Sequence, residues 1–415
     1  MSAILPMPST RQPGHLQGVL LVSLGLLSTM AVVLLAPSLP AMQHHFGDDA
    51  KTAELVTDAL TFPALCVALL SPFAGAVVDR FGRRRALIAS LVFYVLTGTA
   101  PLYLNTLPQI IISRLGVGIA ETVLMTASVT MLGDFFQGRA RERYLALNTA
   151  IASTAATLFF ALGGLLAQNS WRLPYAVYFS ALLFLLAVLA FTWEPERRSA
   201  IQNHAAGMVG GKFNWGALLG IGLVTIAGGI TFMTPQIQLG VIVAAHGFTE
   251  PRIAGMVGAI GSLAMPVGAL VFNVLRRIRV STPWLVIMAF VLAGCGLLWM
   301  AHASDLTTLI AGMVLHEFGS GFMLSGLMTW MLGLLPYELR GKGTGAYMSS
   351  FFIAQPVSGF LFGRLQVALN GNALHATAWF GAGAITAGVV LLIVAHLTGS
   401  LKNGDASPAT SQGLH

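Results

Sequence analysis

The chain has 415 residues, 56% of them hydrophobic and only 9% charged, with a mean hydropathy of +0.78. Soluble chains carry about a quarter charged residues, so this composition excludes a water-covered surface and requires an exterior that mostly faces lipid. The net charge of +7 does not signal nucleic acid, because the Lys and Arg residues come in short clusters between apolar runs, without aromatic–basic interleaving.

In chain order, residues 1–17 hold Arg11 and no acid. The apolar run that follows is too long for a signal-peptide core, which predicts an uncleaved first span with a cytoplasmic N-terminus. A spanning helix needs about 20 apolar residues. Twelve windows meet that length: 17–39, 55–78, 86–104, 107–132, 144–167, 173–193, 214–236, 252–274, 283–302, 305–333, 344–366 and 376–398. None shows the period-two alternation of a barrel strand, so the spans are read as helices. Of 22 Lys and Arg, 17 fall in the N-terminus, the C-terminus and the loops that alternation places inside. Four (Lys51, Arg172, Arg252 and Arg364) fall on the other side, and Arg114 lies within a span. This bias predicts that both termini are cytoplasmic, because positively charged loops resist translocation.

The expected fold is therefore all-α: twelve transmembrane helices in two pseudo-symmetric six-helix bundles. The first bundle is 1–193, a cytoplasmic linker 194–213 follows, and the second bundle 214–398 precedes a tail at 399–415. The linker reads from its charges at Glu194, Glu196, Arg197 and Arg198 and its glycines at Gly207, Gly210 and Gly211. Shifting the first half by 194 to 197 residues lays its spans on the second. Asp79 then falls on Asn273, Arg83 on Arg277 and Glu121 near Glu317. Duplicated helical units are the plan of many secondary transporters.

The loop after the second span reads Gly75-Ala-Val-Val-Asp79-Arg80-Phe-Gly82-Arg83-Arg84-Arg85. It matches the G-x-x-x-D-R-x-G-R-R/K loop of the major facilitator superfamily at every defined position, and the chain resembles that family. The resemblance implies a conformational latch at Gly75, Asp79, Arg80, Gly82, Arg83 and Arg84. In this reading Asp79 neutralises a helix N-terminus while the arginines bridge the two bundles. Other signatures resemble the family's twelve-span drug:proton antiporters. Arg114-Leu-Gly-Val-Gly118 opens span four, Pro37-Ser-Leu-Pro40 closes span one, and Ala161-Leu-Gly163-Gly164 ends span five. Phe159 and Phe160 stand where the antiporter motif has Gly-Pro, which puts the direction of transport in question.

Ionisable residues within spans are costly unless they pair or face water, so each is a functional candidate. Those here are Asp58, Arg114, Glu121, His316 and Glu317. Arg114 and Glu121 are seven apart and share a helical face. Desolvation opposes ionisation of Glu121 and Arg114 favours it, a balance suited to carrying a proton. Glu121, Arg114, Glu317 and Asp58 are the expected proton-coupling residues. Gln236, Gln355, His316 and Thr234 are candidates for the substrate cavity, with Met265-Pro266 and Gln355-Pro356 as expected helix interruptions.

An enzyme is not expected. His316-Glu317 begins like a zinc-protease helix, but Ser320 stands where the second His belongs, and no phosphate-binding G-x-x-x-x-G-K-[ST] loop occurs. Cys66 and Cys295 lie in apolar runs as small hydrophobes. These readings predict proton-coupled efflux of small amphipathic molecules or metabolites, with proton-coupled uptake of an organic solute as the alternative. No cofactor is expected beyond the proton gradient as energy source. The expected partners are a small-molecule substrate and the lipid bilayer, with no nucleic acid. The chain is expected to work as a monomer, multi-pass in a bacterial inner membrane.

Overall fold

The structure, a computed structural model, describes residues 12–195, 215–334 and 340–397. The expected linker beyond Pro195 and the tail at 399–415 lie outside these residues. Twelve helical stretches follow one another, with no strand among the described residues. They are α1 (His15–Phe46), α2 (Ala50–Phe81), α3 (Arg83–Leu102), α4 (Leu107–Phe135), α5 (Gly138–Ala167) and α6 (Leu173–Phe191) in the first half. In the second half are α7 (Trp215–Ala245), α8 (Pro251–Arg277), α9 (Thr282–Ala301), α10 (Leu306–Leu334), α11 (Arg340–Ala368) and α12 (Ala373–Leu397). Nine have the length and hydropathy to cross a membrane. This count is of the described residues alone, which within α5 take in the shorter apolar stretch Thr154–Ala167.

Helix boundaries follow local chemistry. The second span begins earlier than expected because Asp49 caps α2, accepting from the amides of Lys51 and Thr52 at 2.9 and 3.1 Å. Its carboxyl is held below the ordinary value, first by the Thr52 hydroxyl hydrogen bond. The seventh span continues past its expected end at 236 to Ala245, because Pro235 sits inside α7 without ending it. Thr231, Thr234, Gln236 and Gln238 are thus mid-helix rather than at a helix end. Prolines do interrupt α1, where a 3-10 turn over Ala36–Ser38 separates two helical pieces at Pro37 and Pro40. In α8 the break falls at Leu263, just before Met265-Pro266. Pro356, by contrast, leaves α11 continuous.

The packing is inverted relative to a soluble protein. Large apolar residues such as Leu69, Phe73, Leu96, Ile112, Leu183, Leu270 and Trp379 are exposed, while Arg114, Glu121, His316 and Glu317 are buried. Lipid solvates the former, and only neighbouring helices can accommodate the latter. The basic cluster of the 79–85 loop marks one end. Arg83 reaches Asp134 at the end of α4, Gln17 reaches the Phe191 carbonyl, and Glu194 reaches the start of α3. At the opposite end Arg172 donates to the Leu104 carbonyl and Asn105, and His246 meets the Met300 carbonyl.

The halves meet near that opposite end through small residues. Gly164 of α5 lies against Gly255 of α8, Gly240 of α7 against the Ala36 carbonyl and Pro40, and Gly359 of α11 against Thr57 and Thr61 of α2. Phe160, fully buried, seats its ring on Gly258 and its carbonyl on Gly255. Small residues let helix backbones approach where hydrophobicity gives no drive to associate. The Phe that replaces the antiporter motif's Pro therefore has its complement in the glycines of α8.

Candidate functional site

Two helices related by the internal shift, α4 and α10, each carry a buried carboxylate. Glu121 is 3% exposed and Glu317 fully buried. Both line one cavity of about 250 Å³ between the halves. Its walls are otherwise largely apolar, with Phe232, Met233, Met265, Phe351 and Phe352, and its polar members include Ser28, Gln236, Ser262 and Gln355.

The two acids have different surroundings. Glu121 accepts a hydrogen bond from the Ser28 hydroxyl on α1. Glu317 accepts at Oε1 from Gln236 Nε2 on α7, at 2.7 Å. Its Oε2, together with Gln236 Oε1 and Gln355 Nε2, is buried with no hydrogen-bond partner. Orphaned polar atoms of this kind are rare in native interiors and call for a reason.

Arg114 lies on the face shared with Glu121, about 10 Å along the helix, but no ion pair among the described residues joins the two. Its Nη2 donates to the Ala31 carbonyl at 3.1 Å and its Nε to the Ala59 carbonyl at 3.3 Å. Its guanidinium lies 5.1 Å from the Tyr178 ring centroid and 5.8 Å from that of Tyr175. It ties α1, α2, α4 and α6 together, and acts on Glu121 through its field rather than by contact.

The remaining candidates sit elsewhere. His316 faces α9, with Nδ1 3.0 Å from the Ala293 carbonyl and Nε2 3.3 Å from Ser320 Oγ. Adjacent helical residues point about 100° apart, so His316 turns away from the cavity that Glu317 enters. Thr234 is buried between α7 and α11, bonding the Ile230 carbonyl and Ser358 Oγ. Asp58 is half-buried on α2 and is not part of the cavity lining. Of the four residues expected to line a substrate cavity, the structure brings Gln236 and Gln355 there, together with both glutamates.

Ser28 was not anticipated from sequence, although Ser28-Thr29 is a lone polar pair inside an apolar run. The cavity aromatics carried no signal, because 24 phenylalanines are spread over lipid-facing and packed positions alike.

At the 79–85 loop, the α3 N-terminus is neutralised by Glu194, which accepts from the Arg83 and Arg84 amides at 2.6 and 3.0 Å. Asp79 lies one turn before Arg83, at 3.5 Å from its guanidinium. The described contacts of the arginines also stay within the first half. Arg83 pairs with Asp134 at 2.6 Å, and Arg84 donates to the Leu189 carbonyl at 2.9 Å. Gly82 makes the turn with φ +92°, and a Cβ there would meet the Glu194 carboxylate. Across the halves, Arg364 of α11 pairs with Glu54 of α2 at 3.8 Å, beside a second crevice of about 360 Å³ that includes Asp48, Gln238 and Asn370.

Comparison with known proteins agrees with this architecture. The sequence profile of the Major Facilitator Superfamily matches residues 21–359. A 142-residue stretch is 30% identical to Multidrug resistance protein 1 of Bacillus subtilis, covering 34% of this chain and 36% of that protein. A 188-residue stretch is 23% identical to the class H tetracycline resistance protein of Pasteurella multocida, covering 45% and 47%. These matches span about a third to a half of the length of the curated relatives. Among solved structures, a D-xylose-proton symporter superposes with a TM-score of 0.71 at 14% identity, over 90% of this chain and 96% of the other. A bacterial homologue of the human lysosomal transporter Spinster does so at 0.72 and 13%, over 93% and 96%. At such identity the likeness concerns the fold.

Proposed function

We propose, for a chain that belongs to the Major Facilitator Superfamily, a proton-coupled secondary transporter that exports small amphipathic molecules by alternating access. The observation that carries this reading is the pair of buried acids, Glu121 and Glu317, one from each half, facing one largely apolar cavity. A carboxylate buried in a membrane protein is held at a cost and marks an ion or substrate path. Binding sites between repeated halves are where such folds bind and couple. The names of the relatives in Bacillus subtilis and Pasteurella multocida support export.

In this reading Glu121 binds a proton when the cavity opens to the more acidic side and releases it on the other. The Ser28 hydroxyl and the field of Arg114 hold the ionised form while substrate exchanges. The cavity aromatics bind the apolar body of the substrate. The basic end of the molecule faces the cytoplasm, the membrane is a bacterial inner membrane, and the chain works as a monomer with the proton gradient in place of a cofactor. Uptake symport is the second reading. It is favoured by Phe159 and Phe160 at the Gly-Pro positions of the antiporter motif.

Proteoliposomes test both. Glu121→Gln is expected to lose transport driven by a pH gradient while still exchanging substrate for substrate at equal concentrations. Gradient-driven transport at the wild-type rate would remove Glu121 from the coupling. Accumulation in cells with and without an uncoupler gives the direction: an uncoupler raises accumulation of an exported solute and lowers that of an imported one.

A further inference from the structure

We propose that the two cavity carboxylates divide the work, and that Glu317 with Gln236 forms a head-group site for a cationic N–H donor, a primary amine or amidine borne on an aromatic body. The proposal rests on the transporter reading above and names the substrate class of its cavity. The repeat makes the two acids look equivalent, whereas their hydrogen bonds set them apart. Glu121 is engaged at Oε1 by the Ser28 hydroxyl, whereas Glu317 holds Oε2 buried with no hydrogen-bond partner. Gln236 gives its Nε2 to Glu317, which fixes its amide so that Oε1 is the free acceptor beside that carboxylate. Two acceptors on adjoining buried groups thus lack donors.

Each orphan carries a desolvation cost, which a ligand recovers if it brings N–H groups. In its ionised form Glu317 selects further. Among the described residues its side-chain hydrogen bond is to a neutral amide, and the intramembrane cation of the first half, Arg114, is held by carbonyls and tyrosine rings. A cationic head supplies the missing countercharge, as a neutral polyol does not. The surrounding Phe232 and Phe351 rings, 5.8 Å apart, suit an aromatic body and cation–π contact. A quaternary ammonium meets the charge but has no N–H to offer, and sites built around hydrogen bonds reject analogues that lack them.

The test is binding to the full chain in lipid nanodiscs, titrated with 2-(1-naphthyl)ethylammonium and with its N,N,N-trimethyl analogue. The wild type is expected to prefer the primary amine by about tenfold or more. Gln236→Met, which keeps the length but removes the acceptor, is expected to reduce that preference to about twofold. Glu317→Gln is expected to weaken both amines by about tenfold. The ratio between the two amines in one protein does not move with a loss of folded fraction, so a merely structural role for Gln236 would leave it unchanged. Equal wild-type affinity for the two amines, an unchanged ratio in Gln236→Met, or wild-type affinity in Glu317→Gln each overturns the assignment. If neither amine binds while another solute is moved by an imposed gradient, the head-group site fails and the transporter reading stands. If no solute of a broad panel is moved by the gradient, the reading falls and the assignment with it.

Discussion

Glu121 and Glu317 occupy equivalent places in the two halves, yet each is defined by a neighbour on another helix, Ser28 for one and Gln236 for the other. The same dependence on nearby groups governs the charged residues at helix ends. Asp305 caps α10, accepting from the Thr308 amide at 2.9 Å. That backbone hydrogen bond is the main reason its carboxyl lies below the ordinary value of 3.8. The sign of the pH effect follows: a depressed folded-state value stabilises the cap above pH 3.8, and the contribution is lost as pH falls through the lower folded value. Amide exchange in the first turn of α10 is therefore expected to accelerate in wild type as pH falls below that range, relative to the intrinsic rate. Asp305→Asn, which does not titrate, should show no such step. A step of equal size in both proteins would refute the cap's role.

At the scale of elements, two contacts between helices carry predictions. The seat of Phe160 on Gly255 and Gly258 leaves no room for a side chain on α8. Gly258→Val is expected to push α5 and α8 apart, at a cost typical of overpacking, about 1–3 kcal/mol. Phe160→Ala in the same chain should restore part of the loss, a coupling that a double-mutant cycle of thermal stability measures. Strict additivity would mean that the two residues do not share a contact. The second contact is the turn between α2 and α3. Glu194→Gln removes the charge that faces the α3 N-terminus and is expected to lower the unfolding midpoint slightly. Gly82→Ala should lower it further, because it adds the cost of a positive φ with extended ψ, about 1–3 kcal/mol, to a clash with the same carboxylate. The reverse order would rule out the turn as the constraint.

For the whole molecule, the gathering of the 79–85 loop, the end of α4 and Glu194 at one end agrees with the alternation read from the Lys and Arg bias. With the chain in the orientation proposed here, position 204 between the halves is cytoplasmic. A single cysteine placed there, in a background without Cys66 and Cys295, should resist an impermeant thiol reagent in intact cells and react after permeabilisation. Labelling from outside would invert the topology.

What the sequence alone determined is the class of the protein, its span count, the alternation of its loops and the duplication that pairs Glu121 with Glu317. These depend on hydropathy over long windows and on charge sums, which lipid reads without reference to neighbouring helices. The specific turn at Gly82 was legible too, because a tight turn after an acid and before a cationic run is a local property. Tertiary structure alone decided partners and faces. Glu194 caps α3 from more than a hundred residues away, Arg114 bonds carbonyls rather than Glu121, and His316 turns to α9 while its neighbour Glu317 enters the cavity. In a buried, low-dielectric interior a polar side chain is fixed by whichever group comes within hydrogen-bond reach. Those groups come from helices tens to more than a hundred residues away in the chain.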